Sequence, residues 1–119
     1  MTEGAHNKLP NRHLATIDET KIRFYLLSDT HPAGRTKAAF FRRFGFRVSS
    51  PQILHEALLA HSRDAEIASF SETEFGQKYI VEGQLNTPDG RNPQIRTVWF
   101  VSGHSNIPRL VTAYPVRGV

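Results

Sequence analysis

The stretch that decides the fold is Glu66–Val116, EIASFSETEFGQKYIVEGQLNTPDGRNPQIRTVWFVSGHSNIPRLVTAYPV. Its β-branched and aromatic residues gather into four runs, about Glu66–Glu72, Lys78–Leu85, Gln94–Val101 and Arg109–Tyr114. Such residues suit a pleated, half-buried surface. EFGQ, TPDG and GHSN separate the runs, and Pro88 with Gly90 is a strong turn signal. Connections this short join antiparallel neighbours, so the runs predict a four-stranded meander. In the third run Ile95, Thr97, Trp99 and Val101 share one side, and Arg96, Val98 and Phe100 the other. In the fourth, strict alternation sets Leu110, Thr112 and Tyr114 against Val111 and Ala113. Neither run alternates cleanly between apolar and polar, so the buried side stays open.

Working outward, the period changes upstream. Asp18 suits a helix cap, and Ile22, Tyr25 and Leu26 follow at helical spacing. THPAG then breaks the chain, because His31 precedes a proline. A second helix is expected over about 34–44, with Lys37, Phe40, Phe41 and Phe44 on one face and Gly45 ending it in a left-handed conformation. A third begins at Pro51, capped by Ser49 or Ser50, with Gln52 completing a capping box. Its buried stripe reads Ile53, Leu54, Ala57, Leu58 and His61. Residues 1–16 are polar, contain Pro10 and read as an arm, which leaves 17–119 as a single domain. Helices first and strands afterwards predict an α+β fold, with N-terminal helices packed on one face of a four-stranded antiparallel β-meander.

Composition narrows the classes. The 119 residues suit one domain with one modest core. No apolar run approaches the roughly 20 residues that span a bilayer, and MTEGAHNKLPNRH lacks the apolar stretch of a secretory signal. With no cysteine, disulfides, thiolate metal sites and cysteine nucleophiles are excluded. A cytoplasmic protein without a membrane partner is the expectation. Charge is unevenly spread. Residues 1–47 sum to +5, 48–90 to −5 and 91–119 to +4. If the two basic ends meet, one face is basic and suits nucleic acid. The plainer alternative is solvated surface charge.

Two clusters carry candidate chemistry. THPAGRTKAAFF (Thr30–Phe41) sets His31, Arg35 and Lys37 at a helix start, where a phosphate or a developing oxyanion would be stabilised. Lys37 shares its face with three phenylalanines, so it either snorkels to water or points into a site with a lowered pKa. The plainer alternatives are a backbone-bonding His31 and a solvated Arg35. The second cluster is Arg96, Thr97, Thr112 and Tyr114, on strands expected to be neighbours. Thr and Tyr also simply favour strands, and Trp99 is most simply core. His55 and His61 lie six apart and share no helix face, DGRN lacks calcium ligands, and no phosphate loop or dinucleotide fingerprint is present. No metal site and no cofactor are predicted.

YLLSDTHPAGRTKAAFFRRFGF, GQKYIVEG, RTVWFV and PRLVTAYPV together resemble an uncharacterised domain family of bacterial and phage-related proteins, over about 8–116. Its members are similar to terminal modules of polymorphic toxins and to small genes beside possible antitoxins. The helices-then-meander order also resembles the metal-independent ribonuclease superfamily of barnase, EndoU, tRNA-cleaving colicins and RelE-type toxins. That resemblance implies an active site on the sheet face and helix edge, with His31, Lys37, Arg96, Thr112 and Tyr114 as its residues. It implies RNA as substrate, a cognate antitoxin or immunity protein as partner, and cleavage by attack of the 2′-OH on the adjacent phosphate. Arg35, Arg42, Arg43 and Arg47 would follow the RNA backbone. The alternative is a non-enzymatic module that binds protein or nucleic acid. A third option is an enzyme acting on a small phosphorylated ligand.

Overall fold

The computed structural model describes residues 7–28, 30 and 35–116. The chain runs through a 3₁₀ turn (Arg12–Leu14), three helical segments and four strands, an α+β fold as expected. Helix α1, Glu19–Lys21, runs directly into a π-helical turn, Ile22–Leu26. The Asp18 carboxylate caps α1, accepting from the Thr20 N–H at 2.9 Å and the Thr20 hydroxyl at 2.7 Å. The π turn is closed by the Leu27 N–H donating to the Ile22 carbonyl at 3.0 Å, one residue beyond α-helical spacing.

Helix α2 is Arg35–Arg43 and ends as expected, with Gly45 at φ 105°. Its faces divide as the sequence predicts. Phe41 is buried, Lys37, Phe40 and Phe44 are half-buried, and Ala39, Arg42 and Arg43 are exposed. The turn around Asp89–Arg91 docks on its C-terminal end. Arg91 donates to the Arg43 carbonyl at 2.6 Å and lies 4.4 Å over the Phe44 ring, so a cation meets the helix's free carbonyls. Helix α3, Pro51–Asp64, starts at the predicted proline, but neither a Ser50 side-chain cap nor a capping box forms. Leu54, Leu58 and His61 are buried, whereas Ile53 is 48% exposed and leaves the predicted stripe.

The strands are β1 (Glu66–Thr73), β2 (Gly76–Gln84), β3 (Gln94–Ser102) and β4 (Arg109–Pro115). They form one antiparallel sheet in the order β1-β2-β3-β4, the predicted meander. The helices cover the face bearing Val81, Ile95, Thr97, Trp99 and Ala113, all fully buried. Register places Glu82, Arg96 and Tyr114 in one row on the opposite face, with Ile80, Val98 and Thr112 in the next. Strict alternation along β4 fails at one point. Trp99 pairs with Leu110 and Val98 with Thr112, so Val111 is an extra residue. That bulge brings Leu110 and Ala113 to the core face and leaves Thr112 and Tyr114 opposite.

Part of the stretch read as an arm is built into the domain. Leu9 is fully buried in the core, Asn7 accepts from the Ile67 N–H, and Thr16 bridges β4 at Arg109. The centre of the core is also a polar junction. Trp99 donates its indole N–H to Thr97 Oγ1 at 2.8 Å, Thr97 Oγ1 lies 3.1 Å from His61 Nδ1, and His61 Nε2 lies 3.1 Å from the Gly83 carbonyl. A carbonyl only accepts, so Nε2 carries the proton and Nδ1 accepts from Thr97. Gly83 lets β2 pass close to Ala65 at the end of α3, since a Cβ there would lie 2.6 Å from Ala65 Cβ. Burial lowers the His61 pKa, against the opposing pull of the Gly83 and Ile95 carbonyls and Asp64.

Candidate functional site

The π turn and the β4 bulge together decide what meets at the β4 edge. Tyr25 lies in the π turn, between buried Ile22 and Leu26, and its half-buried ring is directed to the sheet edge. Its hydroxyl is 3.5 Å from Thr112 Oγ1. The Lys21 and Lys37 ammonium groups lie 5.3 and 5.6 Å from the ring centroid, one from α1 and one from α2. Lys37 thus lays its stem along the apolar face and ends on an aromatic ring, within cation–π range. The Tyr25 phenol sits below its ordinary pKa, first because of the hydrogen bond to Thr112. Partial burial opposes this, and Lys37 and Lys21 add to it.

Two residues further along the strand, roughly 7 Å away, Tyr114 pairs across with Arg96. Arg96 Nε donates to Glu82 Oε1 at 2.8 Å, and both side chains are partly exposed. Its pKa is raised, first by the hydrogen bond to Glu82 and further by Tyr114. A carboxylate therefore stands beside this guanidinium, and the pair holds the Tyr114 side of the row. The edge carries two adjacent groups: Lys21, Lys37, Tyr25 and Thr112, which has cations and hydroxyls, and Tyr114, Arg96 and Glu82, which is internally neutralised.

The predicted residues fall into place as follows. Lys37 and Thr112 meet through Tyr25, and Arg96 and Tyr114 meet directly; the two pairs are neighbours along β4. His31 lies outside the described residues. Arg35 opens α2. Arg42, Arg43 and Arg47 are exposed at the far end of that helix and beyond it. Thr97 is fully buried in the Trp99–His61 junction, away from the edge. The residues missed from sequence are Tyr25, read only as part of a helical spacing, and Lys21, which was not singled out. The signal available was the place of Tyr25 one helical turn after Lys21.

A cleft of about 490 Å³ opens between the end of α3 and the ends of β1 and β2, lined by His61, Asp64, Glu66, Glu82 and Gln84 among others. Its acidic lining repels phosphate, and His61 turns both ring nitrogens to internal partners. Among the described residues no group of three or more His, Asp or Glu side chains is placed to hold a metal, and no helix is long and apolar enough to cross a membrane.

The geometry can now be set beside known proteins. The chain belongs to the family described as a domain of unknown function, DUF6883, whose model matches residues 8–117. No curated protein matches the sequence. The DUF6883 fold recurs in a chain of a solved structure titled a contact-dependent growth inhibition toxin–immunity protein complex, from Klebsiella pneumoniae 342. The two are 17% identical with a TM-score of 0.67, over 86% of this chain and 100% of that one. At that identity the likeness is one of fold.

Proposed function

We propose that this protein is a toxin-type endoribonuclease that needs no metal, with its site at the β4 edge. The observation that carries the reading is the Tyr25 phenol, hydrogen-bonded to Thr112 and flanked by two ammonium groups. RNA brings its own nucleophile. The 2′-oxygen attacks the adjacent phosphorus, the bond from phosphorus to the 5′-oxygen breaks, and a 2′,3′-cyclic phosphate is left. The enzyme supplies a base, an acid and positive charge on the phosphorane. Tyr25 is the acid: a phenol with a lowered pKa gives its proton to the leaving 5′-oxygen more readily, and Lys21 and Lys37 stabilise the phenolate that results. Thr112 orients the phenol. Lys37 also faces the non-bridging phosphate oxygens, Tyr114 and Arg96 hold the neighbouring nucleotide, and His31 takes the 2′-OH proton. Arg35, Arg42, Arg43 and Arg47 follow the RNA backbone, so binding weakens with salt.

The test is cleavage of a defined RNA in EDTA, read as new cyclic-phosphate ends. Wild type should cleave, and Tyr25→Phe and His31→Ala should each cleave at least about a hundredfold more slowly. Intact RNA at high enzyme concentration, with no growth inhibition on expression, would overturn the reading. A second reading is supported by the same fold likeness, because the solved complex holds an immunity protein as well as a toxin. In that case the chain is a non-enzymatic binding module. His31→Ala would then leave its binding unchanged, and no variant would alter RNA turnover.

A further inference from the structure

The opposite edge of the sheet has a different character. All of β1 is exposed except the half-buried Ile67. Against that edge, the described residues place only Asn7, which accepts from the Ile67 N–H, and Lys8, which binds the Asp64 carbonyl. From Ala68 to Thr73 the strand carries neither proline nor lysine, the residues that usually blunt an edge. Thr73 pairs with Gly76 across a two-residue turn. The pair flanking such a turn is of the hydrogen-bonded kind, and alternation then turns the backbone groups of Phe70 and Glu72 outward. Phe70 is 50% exposed, stacks on Tyr79 at 5.0 Å and borders a groove that Asn7, Lys8, Pro10 and Ile67 also line, with Lys8 its one cation. Phe75, at the turn, is 73% exposed.

Charge selects the occupant. Asp64, Glu66, Glu72 and Glu74 all lie between 64 and 77, where no Lys or Arg occurs. Lys78, opposite Ser71 on β2, is the nearest cation in the hairpin. Two copies meeting edge to edge would bring both acidic rows to one seam, and RNA would be repelled. Residues 1–6 contain Glu3 and no Lys or Arg, so the chain's own start does not complement the edge either.

We infer that β1 is a docking edge for an extended segment of another protein, one in which basic and apolar residues come in pairs, so that each face carries both, and which adds as a fifth strand. Its backbone pairs with Phe70 and Glu72. Phe70 and Glu72 share the face of Tyr79, so on that side an apolar residue covers Phe70 and a cation two positions along meets Glu72, while on the other side a cation meets Glu66. This is strand addition, with affinity from the backbone and selectivity from alternate side chains. The site does not depend on the nuclease reading, because it lies at the other edge of the sheet.

The test uses two short synthetic peptides, one repeating Val-Val-Lys-Lys, the other Val-Val-Glu-Glu, with the full chain. Backbone hydrogen exchange is read by NMR. In the free protein the Phe70 and Glu72 amides should exchange quickly. The Lys/Val peptide at saturation should slow them roughly tenfold or more, and the Glu/Val peptide should not. Glu72→Lys with Glu74→Lys should exchange the two preferences. Phe70→Pro should abolish protection at Glu72, while unchanged β3 protection shows that the sheet is intact. Any of four results overturns the inference: no protection by either peptide, equal protection by both, protection by an RNA oligonucleotide, or amides already slow in the free protein. Loss of RNA cleavage in the Tyr25→Phe variant bears on the nuclease reading alone.

Discussion

The two edges of this sheet are built from the same kind of strand and have opposite surroundings. At β4 the N-terminal segment pairs through Thr16, whose N–H and carbonyl bond Pro108 and Leu110, and Tyr25 closes over Thr112. Lysines from two helices gather there. At β1 the outward backbone groups of Phe70 and Glu72 meet no partner among the described residues and stand beside a row of carboxylates. The difference teaches that the charge blocks of the sequence are spatial. The acidic block supplies β1 and its turn, and the two basic blocks meet at β4. A covered, cationic edge suits an anion held by side chains, whereas a bare, acidic edge suits a partner held by backbone.

That contrast can be broken from either side. The largest effect is expected from Tyr25→Phe, which removes the proposed acid and should cost about 10²- to 10⁴-fold in RNA cleavage rate, with peptide protection at β1 unchanged. Thr97→Val attacks the sheet between the edges. It orphans Trp99 Nε1 and His61 Nδ1, each costing about 1–3 kcal/mol, and denaturant unfolding should show the loss. Lys37→Met keeps the stem and removes the charge. Cleavage should fall by about tenfold or more, and the alkaline limb of the rate profile should move up, because the Tyr25 pKa relaxes towards its ordinary value.

Acid should separate core from edges more gently. The folded pKa of His61 is lowered below its ordinary 6.5, so the unfolded chain binds more protons in the window between the two values. Stability is then complete above about pH 6.5 and is lost as pH falls through the folded value. Thermal unfolding at several pH values should show this slope, and His61→Gln should flatten it. The smallest effect is expected from Arg91→Ala. It removes a contact at the end of α2 worth about 1 kcal/mol, read as a small fall in Tm with neither edge altered.

Much of this arrangement was legible in the sequence, for identifiable reasons. The meander follows from Pro88, Gly90 and the β-branched runs, and its strand limits agree with expectation to within two residues. Gly45 and Asp18 act as their local chemistry dictates. The faces of β4 were not legible, because a single bulged residue, Val111, resets the alternation and nothing local marks it. Ile53 reads as core by spacing and is turned to solvent by the way α3 sits on the sheet. At the candidate site Lys37 was visible from the sequence, and Lys21 was not singled out. Tyr25 was not, since its role comes from a π turn that re-aims one side chain of an otherwise helical pattern. Glu82 beside Arg96 depends on strand register, a long-range property.

The chain has a single tryptophan, and it is fully buried at the head of the Thr97–His61 junction. Its tryptophan emission, excited apart from the three tyrosines, therefore originates at one point, where α3 rests on β3. A ligand seated at either margin leaves that emission unchanged, while an imidazolium formed beneath the indole would quench it. The fold thus carries an optical gauge of its own interior, against which the occupancy of each margin can be followed with an extrinsic dye.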